Sequence, residues 1–460
     1  MFKKVLLFIS LLTLQLNANS KPNVLFIIAD DLNTMLGCYG DKVSQTPVLD
    51  KLAKQGVHFE KCYTQFPTCG PSRLSMLSGL YPYQNGVISN YKKFDYQNAS
   101  FKTLPALFKE NGYTTARVGK AFHMGIPRGI GKAGPDDTAA WDHAINNTGW
   151  DAERDNYSKA KKFGTYKNPG VAISYHAPEI AANQMADGTG TDAAINLMDK
   201  VNPEKTGKPF LMFMGYYRPH PPMIAPKSNW YKIDPSLIKI PKSNPELRKT
   251  IPTVNFHLTT KDFNFIPEDI GRNYTHAYYA AINFVDSEVG RLITALKQKG
   301  LDKNTIIIFT SDQGFHLGEH GHWHKSTFFE EACGVPLIIM DPRQSHSGKN
   351  SSICGLIDIY PTLCELTGIK ASHKLSGKSL VQLLSGKKSD HKEFELTQGK
   401  PGGFSIRTEQ FRYTEWPEEK VAMLYDLEKD PDEKNNLIEH KDYQDIKKRF
   451  SKQVAEFSSK

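Results

Sequence analysis

The sequence predicts an α/β protein in which a mostly parallel sheet is flanked by helices and followed by a smaller C-terminal α+β unit. Three observations carry this reading. Apolar runs at 24–28 and 306–309 have the unbroken hydrophobicity of strands buried on both faces. Segments with helical spacing and recognisable end signals lie between them, and such alternation argues a parallel sheet with helices on both faces. Asp30 and Asp31 follow the first run and Asp312 and Gln313 follow the second, at the carboxyl ends of strands, where ligands of open α/β sheets collect.

The elements follow in order. Lys3 and Lys4 precede an apolar run at 5–16, with small residues at Ala18 and Ser20. This reads as a secretory signal peptide, residues 1–20, too short to span a bilayer. No other stretch reads as a membrane span. After the strand at 24–28, Thr46 and Pro47 open a helix that Gly56 closes. Cys69 opens another, with Pro71 where a missing N–H does no harm. Thr103 caps a third, ended by Gly112. Residues 125–272, rich in Gly, Pro, Asn and Lys, read as long loops over the sheet edge, interrupted by an apolar run at 210–214. Tyr274, Ala277, Tyr278, Ala281, Phe284 and Val285 have helical spacing, and 361–368 is helical again. From about 350 the style changes: 405–408 and 411–416 read as adjacent antiparallel strands. The expected division is a catalytic domain over 21–350 and a C-terminal subdomain over 351–460. No internal repeat is present.

Composition narrows the function. The 460 residues carry a formal charge of +9. Without Lys3 and Lys4, 56 basic residues face 49 acidic ones, a net +7. That mild excess favours acidic partners, but no dense Lys/Arg run with interleaved aromatics marks a nucleic-acid surface. The six cysteines, Cys38, Cys62, Cys69, Cys333, Cys354 and Cys364, match no zinc spacing. Export permits disulfides, and the pairing stays open.

Two motifs carry the chemistry. The first is Cys69-Gly70-Pro71-Ser72-Arg73, continued by Leu77-Ser78-Gly79. A helix start attracts an anion, and Arg73, one turn in, has the guanidinium fork that suits sulfate or phosphate. The second is Gly112-Tyr113-Thr114-Thr115-Ala116-Arg117-Val118-Gly119-Lys120. Together, in this order, they resemble the two signatures of type I sulfatases. The stretch from Ser311 through His316, Gly318, Glu319, His320, Gly321, His322 and His324 to Lys325 is similar to the iduronate-2-sulfatase-like branch, as is the later run at 335–338. The resemblance covers nearly the whole mature chain and implies an alkaline-phosphatase-like fold.

It also implies a mechanism. Cys69 is expected to become formylglycine (3-oxoalanine) by the action of a maturation enzyme. One calcium ion is expected on Asp30, Asp31, the modified Cys69, Asp312 and Gln313, an all-oxygen set that suits a hard cation. Glutamine at 313 departs from the more usual Asn or His and lengthens the reach of the donor. Asp312 is expected to take the proton of the nucleophile. Lys120 is expected on the sulfate, His123 as the base that helps release it, and His220 and Lys325 on the leaving oxygen. His220, His316, His320, His322 and His324 invite a zinc reading, but Gly318, Gly321 and the loop setting match the sulfatase pattern without zinc. The implied substrate is a sulfated oligosaccharide or polysaccharide met in the periplasm or outside the cell. Two alternatives stand beside it: a phosphonate or phosphoester hydrolase of the same superfamily, and a non-catalytic polysaccharide-binding protein.

Overall fold

The computed structural model describes residues 21–459 apart from 91, 93, 243, 257–265 and 388–390. The expected signal peptide lies outside the described residues. Eight strands, β1 (Asn23–Asp30), β2 (Val57–Tyr63), β3 (Thr114–Gly119), β4 (His143–Ile145), β5 (Phe210–Pro219), β6 (Thr305–Ser311), β7 (Gly334–Met340) and β8 (Gly348–Gly355), form one sheet. Their order is β8-β2-β7-β6-β1-β5-β3-β4. β7 runs antiparallel to β2 and β6, and the other pairs are parallel.

The apolar runs become central strands because both faces of the sheet are covered. Along β1, Leu25, Ile27 and Ala29 join one buried cluster with α1 (Pro47–Gln55), α3 (Ala186–Val201) and α4 (Glu268–Gln298). Val24, Phe26 and Ile28 point the other way, into a cluster with α2 (Cys69–Ser78) and α5 (Ile359–Thr367). Each of these valine, leucine, isoleucine and phenylalanine side chains stabilises the fold by about 1.5–3 kcal/mol through its burial. Thr46 and Gly56 flank α1, as the end signals predict, and the Thr103 hydroxyl accepts from the Ala106 N–H at 3.4 Å.

Two expectations are corrected. The stretch 125–272 is not chiefly loop, for it holds α3 and β5, and all ten residues of β5 are buried at the centre of the sheet. The helical signal of α3 is faint because Gly188 and Gly190 replace better helix formers. A Cβ at Gly188 would stand 1.9 Å from the Ala182 carbonyl oxygen, so close packing requires the glycine. The boundary at 350 also moves. β8 crosses it inside the large sheet, and its alternately exposed start is that of an edge strand. α5 and Leu380, Leu383 and Leu384 pack in the large core. The smaller unit is an antiparallel sheet of β9 (Phe394–Gly399), β10 (Gly403–Thr408), β11 (Phe411–Trp416) and β12 (Val421–Asp426). α6 (Gln444–Ser458) covers it through Phe450 and Val454.

Candidate active site

Four adjacent strands, β6, β1, β5 and β3, end on one edge of the sheet. Asp312 follows β6, Asp30 and Asp31 end or follow β1, His220 follows β5, and Lys120 follows β3. Parallel pairing aligns these ends, so residues nearly 300 positions apart in sequence meet. Lys120 turns in because β3 and β5 close together there. A Cβ at Gly119, whose φ is +70°, would lie 2.2 Å from the Gly215 carbonyl oxygen, and the Lys120 N–H donates to that oxygen at 3.0 Å.

The floor of the site is a web of fully buried charge. Arg73 donates from Nε to Asp312 Oδ2 at 2.8 Å and from Nη2 to Asp30 Oδ1 at 3.1 Å. Its Nη1 donates to the backbone oxygens of Lys120 and Ala121. The guanidinium expected to meet a sulfate is therefore committed to two carboxylates and is closed to solvent. Arg73 is a positioning residue, because buried carboxylates take an opposite charge before a substrate can. Lys120 Nζ donates to Asp30 Oδ2 at 2.6 Å, also without exposure. Burial alone would raise Asp30, yet Lys120, Arg73 and Lys325 hold it well below the usual carboxylate range.

Asp31 is the pivot. It has φ of 63°, donates its N–H to Asp312 Oδ1 at 3.1 Å and accepts at its carbonyl from the Tyr278 hydroxyl at 2.8 Å. Burial, with Asp30 and Asp312 nearby, pushes its carboxyl up against the pull of Lys325. Lys325 Nζ donates to Asp31 Oδ1 and stands 3.3 Å from Cys69 Sγ. Cys69 begins α2, fully buried, with Sγ 3.7 Å from Asp31 Oδ1. Its helix is fastened on both sides: Ser72 donates to the Asp312 carbonyl, and the Gly70 N–H donates to Asn90 Oδ1 at 2.7 Å. Burial pushes the Cys69 thiol far above its ordinary range. The sulfur is a neutral thiol, a weak nucleophile.

His220 sits at the rim, 11% exposed, with Nε2 3.7 Å from Asp31 Oδ2. Its Nδ1 lies 2.6 Å from the Pro221 carbonyl. A carbonyl only accepts, so Nδ1 carries the hydrogen and Nε2 presents its lone pair to the site. Burial, then Lys325 and Lys120, push His220 well below its usual range. His123 is pushed down to about 2 by burial, then by Lys120, Arg73 and Lys325, and its Nδ1 has no hydrogen-bond partner. Both imidazoles are neutral at rest.

The residues fit a hard cation. Donor atoms of Asp30, Asp31, Cys69 and His220 lie within 4.8 Å of one another. Asp31 Oδ2 and Gln313 Oε1 are buried acceptors without a hydrogen bond, which is costly unless something positive meets them. The Gln313 amide reaches Asp31 Oδ1 and Cys69 Sγ, so the longer side chain still arrives at the centre.

The sequence did not single out Asn90, Tyr278 or the pair Asp151–Arg218. Arg218 is fully buried, pairs with Asp151 and donates to the His220 carbonyl at 3.1 Å. Tyr278 was visible only as part of a helical face, and Asn90 carried no signal.

A cluster of carboxylates, lysines and a buried cysteine at the carboxyl ends of parallel strands lies where open α/β sheets bind their ligands. The comparisons give the family. Residues 22–369 match the sulfatase family model, and residues 318–460 match the C-terminal model of N-sulphoglucosamine sulphohydrolase. The chain belongs to the sulfatase family and is a sulfuric ester hydrolase. It is 29% identical to iduronate 2-sulfatase of Homo sapiens, covering 88% of this chain and 87% of that protein. It is 30% identical to a sulfatase of Formosa agariphila, covering 90% and 82%. The phosphonate monoester hydrolase of Agrobacterium radiobacter has the same fold, with a TM-score of 0.79, 24% identity, and coverage of 95% and 96%. The fold is the alkaline-phosphatase-like one.

Proposed function

We propose that this protein is an exported, calcium-dependent sulfatase that removes sulfate from a sulfated carbohydrate, with residue 69 converted to formylglycine by a maturation enzyme. The observation that carries the reading is the contact of Cys69 with Asp31 and Lys325 above a floor of paired charge. A neutral, buried thiol is poorly suited to attack sulfur; Asp30, Asp31, Asp312 and Gln313 would hold calcium beside residue 69, and the ion would lower the pKa of a hydroxyl on the hydrated aldehyde there so that it could act as nucleophile near neutral pH.

The chain's own residues do the rest. Arg73 and Lys120 keep Asp30 ionised and so keep a donor ready for the cation. Lys325, charged and at the mouth, meets the ester and offsets charge that develops on the leaving oxygen. His220 offers Nε2 on the same side. An anionic ester beside it favours the protonated imidazole, which then gives its proton to the leaving sugar oxygen. The resemblance assigns the sulfate to Lys120, which reaches it only through the Asp30 it pairs with, and to His123, whose neutral imidazole can take the proton whose removal lets sulfate leave.

The relative named for iduronate and the basic balance of the chain support an anionic saccharide. Uronate- or deoxysugar-containing sulfates of the ulvan type come first, and glycosaminoglycans second. The test is sulfate release from oligosaccharides of ulvan, carrageenan, fucoidan, heparin and chondroitin, with aryl phosphonate and aryl sulfate as controls. Activity on aryl phosphonate alone would move the protein to the phosphonate hydrolases. Activity confined to aryl sulfates would overturn the carbohydrate reading.

A further inference from the structure

The catalytic centre does not use His316, His320 or Glu331, which the fold brings together elsewhere. We propose that these three side chains form a second cation site, separate from the catalytic one and suited to a divalent transition metal such as zinc.

The geometry is the first argument. Glu331 Oε2 stands 3.9 Å from His316 Nδ1 and 3.9 Å from His320 Nε2. Glu319 Oε2 is 3.7 Å from His316 Nδ1. These separations are too long for hydrogen bonds. Donor atoms of His320, Glu331 and Glu433 all lie within 4.8 Å of one another, with His316 Nδ1 beside Glu331, and two donors about 2.0–2.2 Å from one ion stand about 3.4–4.0 Å apart at angles from tetrahedral to about 130–140°.

The second argument is that the atoms facing this point are unpartnered. His316 Nδ1, His320 Nε2 and Glu331 Oε2 make no hydrogen bond. The side chains of His316 and His320 are 0% and 6% exposed. Buried polar atoms of this kind almost always have a partner. His316 is also held as a metal-binding histidine is held. Its Nε2 lies 2.7 Å from the Thr327 hydroxyl; in the tautomer in which that hydroxyl accepts, Nδ1 keeps a lone pair for a metal. The His320 ring stacks on Phe329 at 3.8 Å between centroids, and its backbone carbonyl accepts from Arg248 at 3.1 Å.

Charge points the same way. Burial, then Glu319 and Glu433, push the Glu331 carboxyl well above its usual range. Glu433 is already engaged, 2.6 Å from Arg412 Nε and accepting from the Glu330 N–H at 2.7 Å. Glu319 and Glu331 repel one another, and a dication between them removes the repulsion. Glu331 is 24% exposed and opens on a cavity of about 520 Å³ that Lys242, Arg248 and Lys434 also line, so an ion has a way in and water can complete its shell. Two imidazoles and a carboxylate suit zinc and its neighbours, whereas the oxygen-rich catalytic set suits calcium.

The experiment uses the full-length protein, stripped with a chelator and dialysed. Cobalt(II) is titrated and followed by its visible absorption, and zinc competes. We expect one equivalent to bind the native protein and the Asp31→Asn variant alike. Glu331→Gln and His320→Asn should each weaken binding at least tenfold. Zinc should raise the melting temperature of the native protein and not that of Glu331→Gln. Glu331→Gln removes a repelled charge and keeps the side chain's shape, so it tests the site even if His320→Asn fails to fold. Native binding by Glu331→Gln, loss of the equivalent in Asp31→Asn alone, or no equivalent in the native protein would each overturn the proposal.

Discussion

The stretch from Ser311 to Lys325 serves two clusters of ionisable groups, and they are partnered in opposite ways. At its two ends, Asp312 and Lys325 enter the catalytic centre, where carboxylates meet Arg73, Lys120 and Lys325 in ion pairs of 3.1 Å or less. In its middle, His316 and His320 face Glu331 at 3.9 Å with no hydrogen bond. The first cluster carries its own cations and is rigid before any substrate arrives. The second has its donors facing one another, with Lys242, Arg248 and Lys434 lining the cavity beside them but none paired with Glu331 in a salt bridge. Charge removed from the first leaves a buried partner exposed to its own desolvation, and charge removed from the second relieves repulsion.

The sharpest test of the first cluster is its cysteine. Cys69→Ala should fold as the native protein does and lose at least about 10⁴-fold in turnover, because no other side chain supplies the nucleophile. Peptide mass spectrometry of active protein should find residue 69 about 18 Da lighter than cysteine. Active protein carrying only the thiol would sink the formylglycine reading.

His220→Ala comes next. Turnover of a sugar sulfate should fall by about 10²–10⁴, and that of an aryl sulfate with a good leaving group by much less, since a weakly basic oxygen needs little protonation. Equal losses on both substrates would remove His220 from the role of acid.

The contrast between the clusters is read most directly in stability. Arg73→Met leaves Asp312 without its buried counter-charge and Asp30 with Lys120 alone, and should cost about 3–5 kcal/mol in denaturant unfolding. Metal-free Glu331→Gln should lie within about 1 kcal/mol of the native protein, on the neutral or stabilising side. A similar loss in both would mean that the two clusters do not differ in the way described.

The smallest effect belongs to a buried carboxylate with backbone partners alone. Asp286 accepts from the N–H groups of Val48 and Leu49 at the start of α1, and burial pushes it up to about 7. Its folded form holds a proton more tightly than the unfolded chain, so its contribution to stability is fully present below about pH 4 and is lost as pH rises through about 7. Asp286→Asn should flatten the fall in melting temperature between pH 5 and 8. An unchanged profile would place the titration elsewhere.

The sequence by itself determined the strands β1 and β6, both ends of α1, the C-terminal end of α5, and the helix that Cys69 opens, because local signals decide these: unbroken apolar runs, Thr and Pro at a helix start, Gly at helix ends. It also named the residues that the strand ends gather, since motif order survives in one dimension. Tertiary structure decided what those residues touch. That Arg73 is spent on Asp30 and Asp312 depends on parallel strands lying side by side, and spacing along the chain does not encode that neighbour. α3 was hidden because its glycines answer to packing, Gly188 against Ala182 and Gly190 against Asn147, and not to helix propensity. The large core runs past residue 350 because β8 finds its partner in β2, almost 300 residues earlier. In the sequence, the histidines at 316 and 320 look like part of a family motif. Only the fold sets Glu331 between them, because the helix Glu330–Cys333 returns beneath the loop and aims a carboxylate where two imidazoles already point.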